Sequence, residues 1–178
     1  GADKALDTRI GNLVPPKSGP APDPDSIAGR TFTNPGVDAT EPRKRKWRAA
    51  EIPAANGQGN ARSIVRAQTA MANGGQAFGK TIMSEAGTKR IFEKQSEGTD
   101  LVLGIPVTFG MGYGLNSAST PISPNSNTAF WGGYGGSSVI IDQDARLCFS
   151  YVMNKMESGL LGDPRGFGLA AAMYMSMA

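Results

Sequence analysis

Ser137-Ser138-Val139-Ile140-Ile141-Asp142-Gln143-Asp144-Ala145-Arg146-Leu147-Cys148-Phe149-Ser150-Tyr151-Val152-Met153-Asn154 decides the fold class of this 178-residue chain. Residues 137–141 are apolar and β-branched, a composition that suits a buried pleated surface. Asp142 to Ala145 reads as a turn. From Arg146 to Asn154 the pattern alternates, with Leu147, Phe149, Tyr151 and Met153 on one face and Cys148, Ser150 and Val152 on the other. Two strands joined by so short a connection must run antiparallel, and the central part of this hairpin should be buried on both faces. Cys148 is then a core residue, because no His and no nearby basic pair is offered to activate it.

Working outward, Asp163-Pro164 supplies an N-cap and a proline at the first helical position. The helix Arg165–Ala178 that follows is apolar almost all round and should lie against the sheet. Upstream, Ala61, Ile64, Val65, Gln68, Met71 and Ala72 recur at spacings of three and four, which predicts a helix from Asn60 that Gly74-Gly75 terminates. Ser84 caps a shorter helix carrying Ile91 and Phe92. Residues 101–115, including Leu101-Val102-Leu103, read as extended and Gly-punctuated. The order helix, helix, extended segments, hairpin, helix implies α+β rather than a βαβ series.

Three stretches follow: an irregular Pro/Gly-rich segment over 1–55, a helical region with connecting segments over 56–128, and the antiparallel hairpin with its terminal helix over 129–178. Eight of the twelve prolines lie between Pro15 and Pro53. An irregular stretch of that length points to a lid, a loop over a site, or an element whose partner lies elsewhere.

Composition narrows the chemistry. The chain has no His and one Cys, so it holds no Ser-His-Asp or Cys-His arrangement, no imidazole metal site and no internal disulfide. Neither a metal nor a cofactor is expected. Acid–base work falls to Lys, Tyr, Asp or Glu, or to another chain. A net charge of +3 is too small a surplus to imply nucleic acid. The run Arg43-Lys44-Arg45-Lys46-Trp47-Arg48 reads as a solvated basic face, with nucleic-acid or targeting roles as the alternative. No basic start and apolar stretch opens the sequence, and the apolar tract Phe167–Ala178 is too short to cross a bilayer. A soluble, cytoplasmic protein without a membrane partner is expected.

Gly74-Gly75-Gln76-Ala77-Phe78-Gly79-Lys80-Thr81 fits the letters of a P-loop, and Val139-Ile140-Ile141-Asp142 resembles its acidic strand. That chemistry needs a buried strand before the loop and a helix after it. Here a helical stretch precedes Gly74 and the Asp142 strand folds back as a hairpin, so a nucleotide hydrolase is disfavoured. Trp131-Gly132-Gly133-Tyr134-Gly135-Gly136-Ser137 is the second candidate. Its glycines remove side chains at the end of a strand, either for a bend or where something must approach main chain.

Several of these stretches together resemble the serine β-lactamase-like hydrolases: class C β-lactamases, DD-peptidases and family VIII carboxylesterases. The segment Ala50-Glu51-Ile52-Pro53-Ala54-Ala55-Asn56-Gly57-Gln58-Gly59-Asn60-Ala61-Arg62-Ser63 is similar to the one before a long helix in that family. Gly74-Gly75, Leu103-Gly104, Phe109-Gly110-Met111-Gly112, Trp131-Gly132-Gly133, Tyr151-Val152-Met153-Asn154-Lys155-Met156 and Asp163-Pro164-Arg165 follow in the family's order. The resemblance covers roughly residues 47–178 and, more loosely, the front. It implies the C-terminal part of a β-lactamase/transpeptidase-like fold, an antiparallel sheet flanked by helices.

In such enzymes a Ser in S-x-x-K attacks a carbonyl, Lys and Tyr handle the proton, and water releases the acyl group. Neither S-x-x-K nor Y-x-N occurs in these 178 residues. The resemblance therefore implies a partner: the N-terminal portion of the same enzyme, carrying Ser, Lys and Tyr. Trp131 stands where many relatives have the Lys of K-T-G, followed by Gly132 and Gly133. The backbone N–H of Tyr134 is implied to line the oxyanion hole, and Asn154 matches a position near the carboxylate-recognition region of class C enzymes, with a strand-end hydrogen bonder as the alternative. Gln58 departs from the His of many relatives. Replacing Lys by Trp exchanges a cation for an apolar wall, which favours a small neutral ester over a penicillin-like acid. An esterase is thus expected, with a β-lactamase or DD-peptidase as the alternative and a non-catalytic binding remnant behind both.

Overall fold

The computed structural model describes residues 1–19, 21–36 and 38–177; Pro20, Val37 and Ala178, the last of them the expected end of the final helix, lie outside the described residues. In chain order the helices are α1 (Ile27–Thr33), α2 (Arg45–Ala49), α3 (Ala61–Ala72), α4 (Glu85–Arg90) and α5 (Pro164–Met175). The strands are β1 (Gln76–Ala77), β2 (Lys80–Thr81), β3 (Ser96–Thr99), β4 (Pro106–Phe109), β5 (Gly114–Leu115), β6 (Thr128–Gly132), β7 (Ser138–Asp142) and β8 (Leu147–Tyr151). The first two form a small hairpin of their own. β3 to β8 form one sheet in sequence order, with every neighbouring pair antiparallel. The architecture is α+β.

Alternation along the strands builds two cores from one sheet, because successive side chains point to opposite faces. Leu115, Ala129, Ile141 and Cys148 stand opposite one another in register. They meet Ala70, Met71 and Ala72 at the end of α3, with Ile91 beside them. On the other face Phe130, Ile140 and Phe149 stand in register and pack with Ala170 of α5 and Ile122. The sheet lies between α3 and α5.

α3 begins with a reciprocal cap: Asn60 Oδ1 accepts from Ser63 N at 3.0 Å, and Ser63 Oγ accepts from Asn60 N at 2.9 Å. It ends as expected at the glycine pair, where Gly75 N–H donates to Ala70 O at 2.8 Å and Gly74 takes a left-handed φ of 62°. That is the bond pattern of a Schellman motif. Asn60→Ala should lower stability by about 1 kcal/mol, seen as a reduced midpoint in thermal unfolding followed by circular dichroism.

Four expectations change. Leu101-Val102-Leu103 is a turn, not an extended run. Asp100 Oδ1 accepts the N–H groups of Val102 and Leu103 at 2.9 and 2.8 Å, folding the chain between β3 and β4. The stretch 56–128 contributes β3, β4 and β5 to the sheet as well as helices. The front 55 residues carry α1, α2 and two 3₁₀ turns, Lys4–Arg9 and Glu41–Arg43, with almost no buried side chains.

The basic run is not a purely solvated face. Arg43 donates to Leu13 O, Arg45 reaches Asp7 at 3.0 Å and Ala2 O at 2.7 Å, and Arg48 reaches Asp7 at 3.0 Å. These cations fasten residues 2–13 to α2. The Arg48 hydrogen bond, followed by Arg45, holds the Asp7 carboxyl below the ordinary carboxylate range.

Candidate functional site

β6 ends at Gly132, and residues 133–137 form the tight turn into β7. Three main-chain donors flanking Tyr134 in this turn are occupied. Gly133 N–H donates to Ser137 O at 2.9 Å, Gly135 N–H to Gly159 O at 2.9 Å, and Gly136 N–H to Gly133 O at 3.1 Å. The Tyr134 N–H between them donates to no acceptor among the described residues. Tyr134 itself is half-buried. A buried or partly buried N–H is normally paired, so this donor is set apart from its neighbours.

Close backbone approach explains the glycines here. A side chain on Gly132 would strike the main chain of Leu161 and Gly162. One on Gly136, whose φ is +121°, would strike the carboxylate of Asp163. The loop 157–163 therefore lies directly against the ribbon, and Glu157 N–H donates to Gly135 O at 2.9 Å to secure it.

Trp131, half-buried, stands opposite Val139 in the register of β6 and β7. Its ring is 5.2 Å from Phe109 and 6.4 Å from Phe130, tilted on both, within the range for favourable aromatic pairs. It is a braced apolar surface. Asn154 is exposed, and its carbonyl accepts Val14 N–H at 2.7 Å while its side chain hydrogen-bonds no described residue. Met153 beside it reaches Gly135. The structure thus gathers Trp131, Gly132, Gly133 and Tyr134 on one ribbon and brings the Asn154 segment next to it.

The front segment runs past the same residues. Val14 bridges Lys155, and Gly19 passes beside the Tyr134 hydroxyl, 3.2 Å from where its Cβ would stand. Proline content marked this stretch as irregular but carried no signal of where it runs. Asp163 was legible only as a helix cap; its contact with Gly136 joins residues 27 apart and has no local signature.

The P-loop letters fold otherwise. Lys80 sits on β2, with β1 paired antiparallel to it through the turn at Phe78-Gly79, and no helix opens at Lys80. Asp142 is fully buried and accepts from Tyr174 Oη, Asn125 Nδ2, Ser123 Oγ and Ala145 N at 2.8–3.1 Å. It holds α5 to the sheet, not a magnesium ion. Two hollows, about 420 and 410 Å³, open beside the C-terminus of α3 around Asn73, Gly74, Glu85 and Arg146; neither touches the ribbon. Among the described residues no three acidic or Cys side chains gather to hold a metal, and no helix is long and apolar enough to cross a membrane.

Cys148 packs in the α3-side core, where burial pushes its thiol up to about 11. A thiol so seldom ionised is a poor nucleophile. It should react slowly with Ellman's reagent in the folded chain and rapidly in denaturant; fast native labelling would contradict the packing.

The sequence matches the Beta-lactamase family over residues 6–172. It is similar to the protein named Esterase/beta-lactamase LipL of Mycobacterium tuberculosis, 32% identical over 140 residues, covering 78% of this chain and 32% of that one. Among solved structures, a family VIII carboxylesterase superposes with a TM-score of 0.86 at 34% identity, covering 98% of this chain and 46% of that one. A novel penicillin-binding protein homologue from Caulobacter crescentus gives 0.85 at 29%, covering 99% and 47%. The chain spans less than half the length of each of these relatives.

Proposed function

The chain belongs to the Beta-lactamase family, and from that premise we propose that it forms the oxyanion-side wall of a serine carboxylesterase working through an acyl-enzyme. The fold is of the β-lactamase/transpeptidase type, as the resemblance in the motifs implied. The observation that carries the functional reading is the Tyr134 N–H, which donates to no described residue while the Gly133 and Gly135 donors on either side of it are engaged. A donor fixed this way needs no reorganisation when charge develops on an oxygen in front of it.

In the proposed reaction a serine Oγ on the S-x-x-K polypeptide adds to the ester carbonyl, and the Lys–Tyr pair takes the serine proton. The carbonyl oxygen becomes an oxyanion and accepts the Tyr134 N–H. Its collapse expels the alcohol, which recovers the proton, and water then cleaves the acyl-enzyme. Trp131 presents a braced apolar face to the substrate, and the main chain of Gly132 and Gly133 continues that wall to Tyr134. Asn154, exposed beside the ribbon, is placed to hydrogen-bond a polar substituent.

The partner in this reading is the N-terminal portion of the same enzyme, supplying Ser, Lys and Tyr; the share of each relative that the chain covers supports it. A cleft with one wall in another segment is also consistent with ribbon residues that line neither of the two hollows beside α3. The test is p-nitrophenyl butyrate against nitrocefin, offered to this chain together with the S-x-x-K polypeptide. Turnover of the ester alone supports the esterase. Faster nitrocefin hydrolysis would shift the reading to the β-lactamase alternative suggested by the name of the mycobacterial relative, and turnover of neither would leave a binding remnant.

A further inference from the structure

We propose that Asp163, clamped by Arg165, is a positioning residue that holds the Tyr134 N–H in its reactive orientation; this rests on the oxyanion reading above. Asp163 is 4% exposed, and its carboxylate does two things at once. Oδ1 caps α5, accepting from Arg165 N at 2.8 Å and Gly166 N at 3.3 Å. Oδ2 occupies the space that a side chain at Gly136 would fill, two residues beyond Tyr134.

The guanidinium of Arg165 fixes that carboxylate. Nε lies 3.1 Å from both oxygens, Nη2 lies 2.5 Å from Oδ2, and Nη2 also donates to Lys155 O at 3.1 Å. One arginine thus joins the buried carboxylate to the segment that carries Asn154, while Gly159 and Glu157 hold Gly135 from the same loop. The turn 133–136 has no side chain of its own, apart from Tyr134, with which to resist displacement. Its rigidity comes from what lies behind it, and the Asp163 carboxylate is a charged group that reaches it there.

A helix cap needs only Oδ1; the clamp and the contact with Gly136 are extra. Asp163→Asn separates these roles. The amide oxygen still caps α5, but its nitrogen then faces Gly136 and repels the guanidinium. On this chain alone, amide hydrogen exchange read by NMR or mass spectrometry should accelerate at residues 133–137 by about tenfold, while α5 amides keep their protection.

In the reconstituted enzyme the same variant should lose kcat for p-nitrophenyl butyrate by on the order of 10-fold to 10²-fold with KM little changed, because a small misplacement of a transition-state donor acts on the chemical step. Arg165→Gln leaves the Asp163 cap untouched and should loosen the same residues; it serves if Asp163→Asn fails to fold. Exchange that rises in α5 and the ribbon together, or a ribbon that loosens without any fall in kcat, would overturn the proposal. A parent enzyme with no esterase turnover would instead overturn the functional reading, while the exchange result would still report on the clamp.

Discussion

Tyr134→Pro in the reconstituted enzyme is expected to lower kcat for p-nitrophenyl butyrate by ~10²–10³, with KM changed far less. Proline has no N–H, so the substitution deletes a donor of the turn that hydrogen-bonds no described residue. Bonds from Gly133, Gly135 and Gly136 remain to hold the surrounding main chain. Tyr134→Phe keeps the N–H and loses only the hydroxyl that lies beside Gly19, so its loss must be much smaller. A Tyr134→Pro enzyme that matches its parent, with an unchanged circular dichroism spectrum, would remove Tyr134 from the mechanism.

The second large effect concerns stability. Asp142→Ala should destabilise the fold by about 3 kcal/mol, because hydrogen bonds to a buried charged group contribute roughly 1.5–3 kcal/mol each and their stranded donors lose solvation. Tyr174 Oη, Asn125 Nδ2, Ser123 Oγ and Ala145 N all point at this carboxylate. The variant releases α5, the turn 123–125 and the β7–β8 turn together. Denaturant unfolding of this chain measures it; a change within experimental error would mean that the network is not formed.

The same group sets a direction for acid unfolding. Burial alone would raise the Asp142 pKa, but the hydrogen bonds from Ala145, Asn125, Tyr174 and Ser123 together bring it below the ordinary carboxylate value. Asp163 is lowered too, first by its bond to Arg165. A carboxyl with a depressed folded pKa contributes stability that is complete above its unfolded value, about 4, and is lost as pH falls through the lower folded value. Stability should therefore decline below about pH 4, and more steeply in the parent than in Asp142→Ala.

The hairpin shows what was legible in residue order. Val139, Ile140 and Ile141 against the alternating Leu147–Tyr151 run carried enough pattern to set strand pairing and the antiparallel sense. Ser84 and Asp163 were legible as caps because a cap is satisfied within three residues. Leu101–Leu103 was not legible as a turn, since its apolar side chains read as strand while the Asp100 carboxylate, one residue earlier, took the backbone donors. The arginines of the basic run looked like solvated charge because Asp7, the partner of Arg45 and Arg48, is 38 and 41 residues away.

Sequence by itself determined the α+β class, the caps, the antiparallel hairpin, the family resemblance and the absence of imidazole chemistry. Each of these depends on residue type or on spacing within a turn or two of chain. Only the tertiary structure decided that the Tyr134 N–H donates to no described residue while its neighbours are bonded, that Asp142 is a structural anchor, and that the Asp163 carboxylate lies against Gly136. Those facts depend on segments distant along the chain meeting within hydrogen-bonding reach, and such meetings are set by the packing of both sheet faces together.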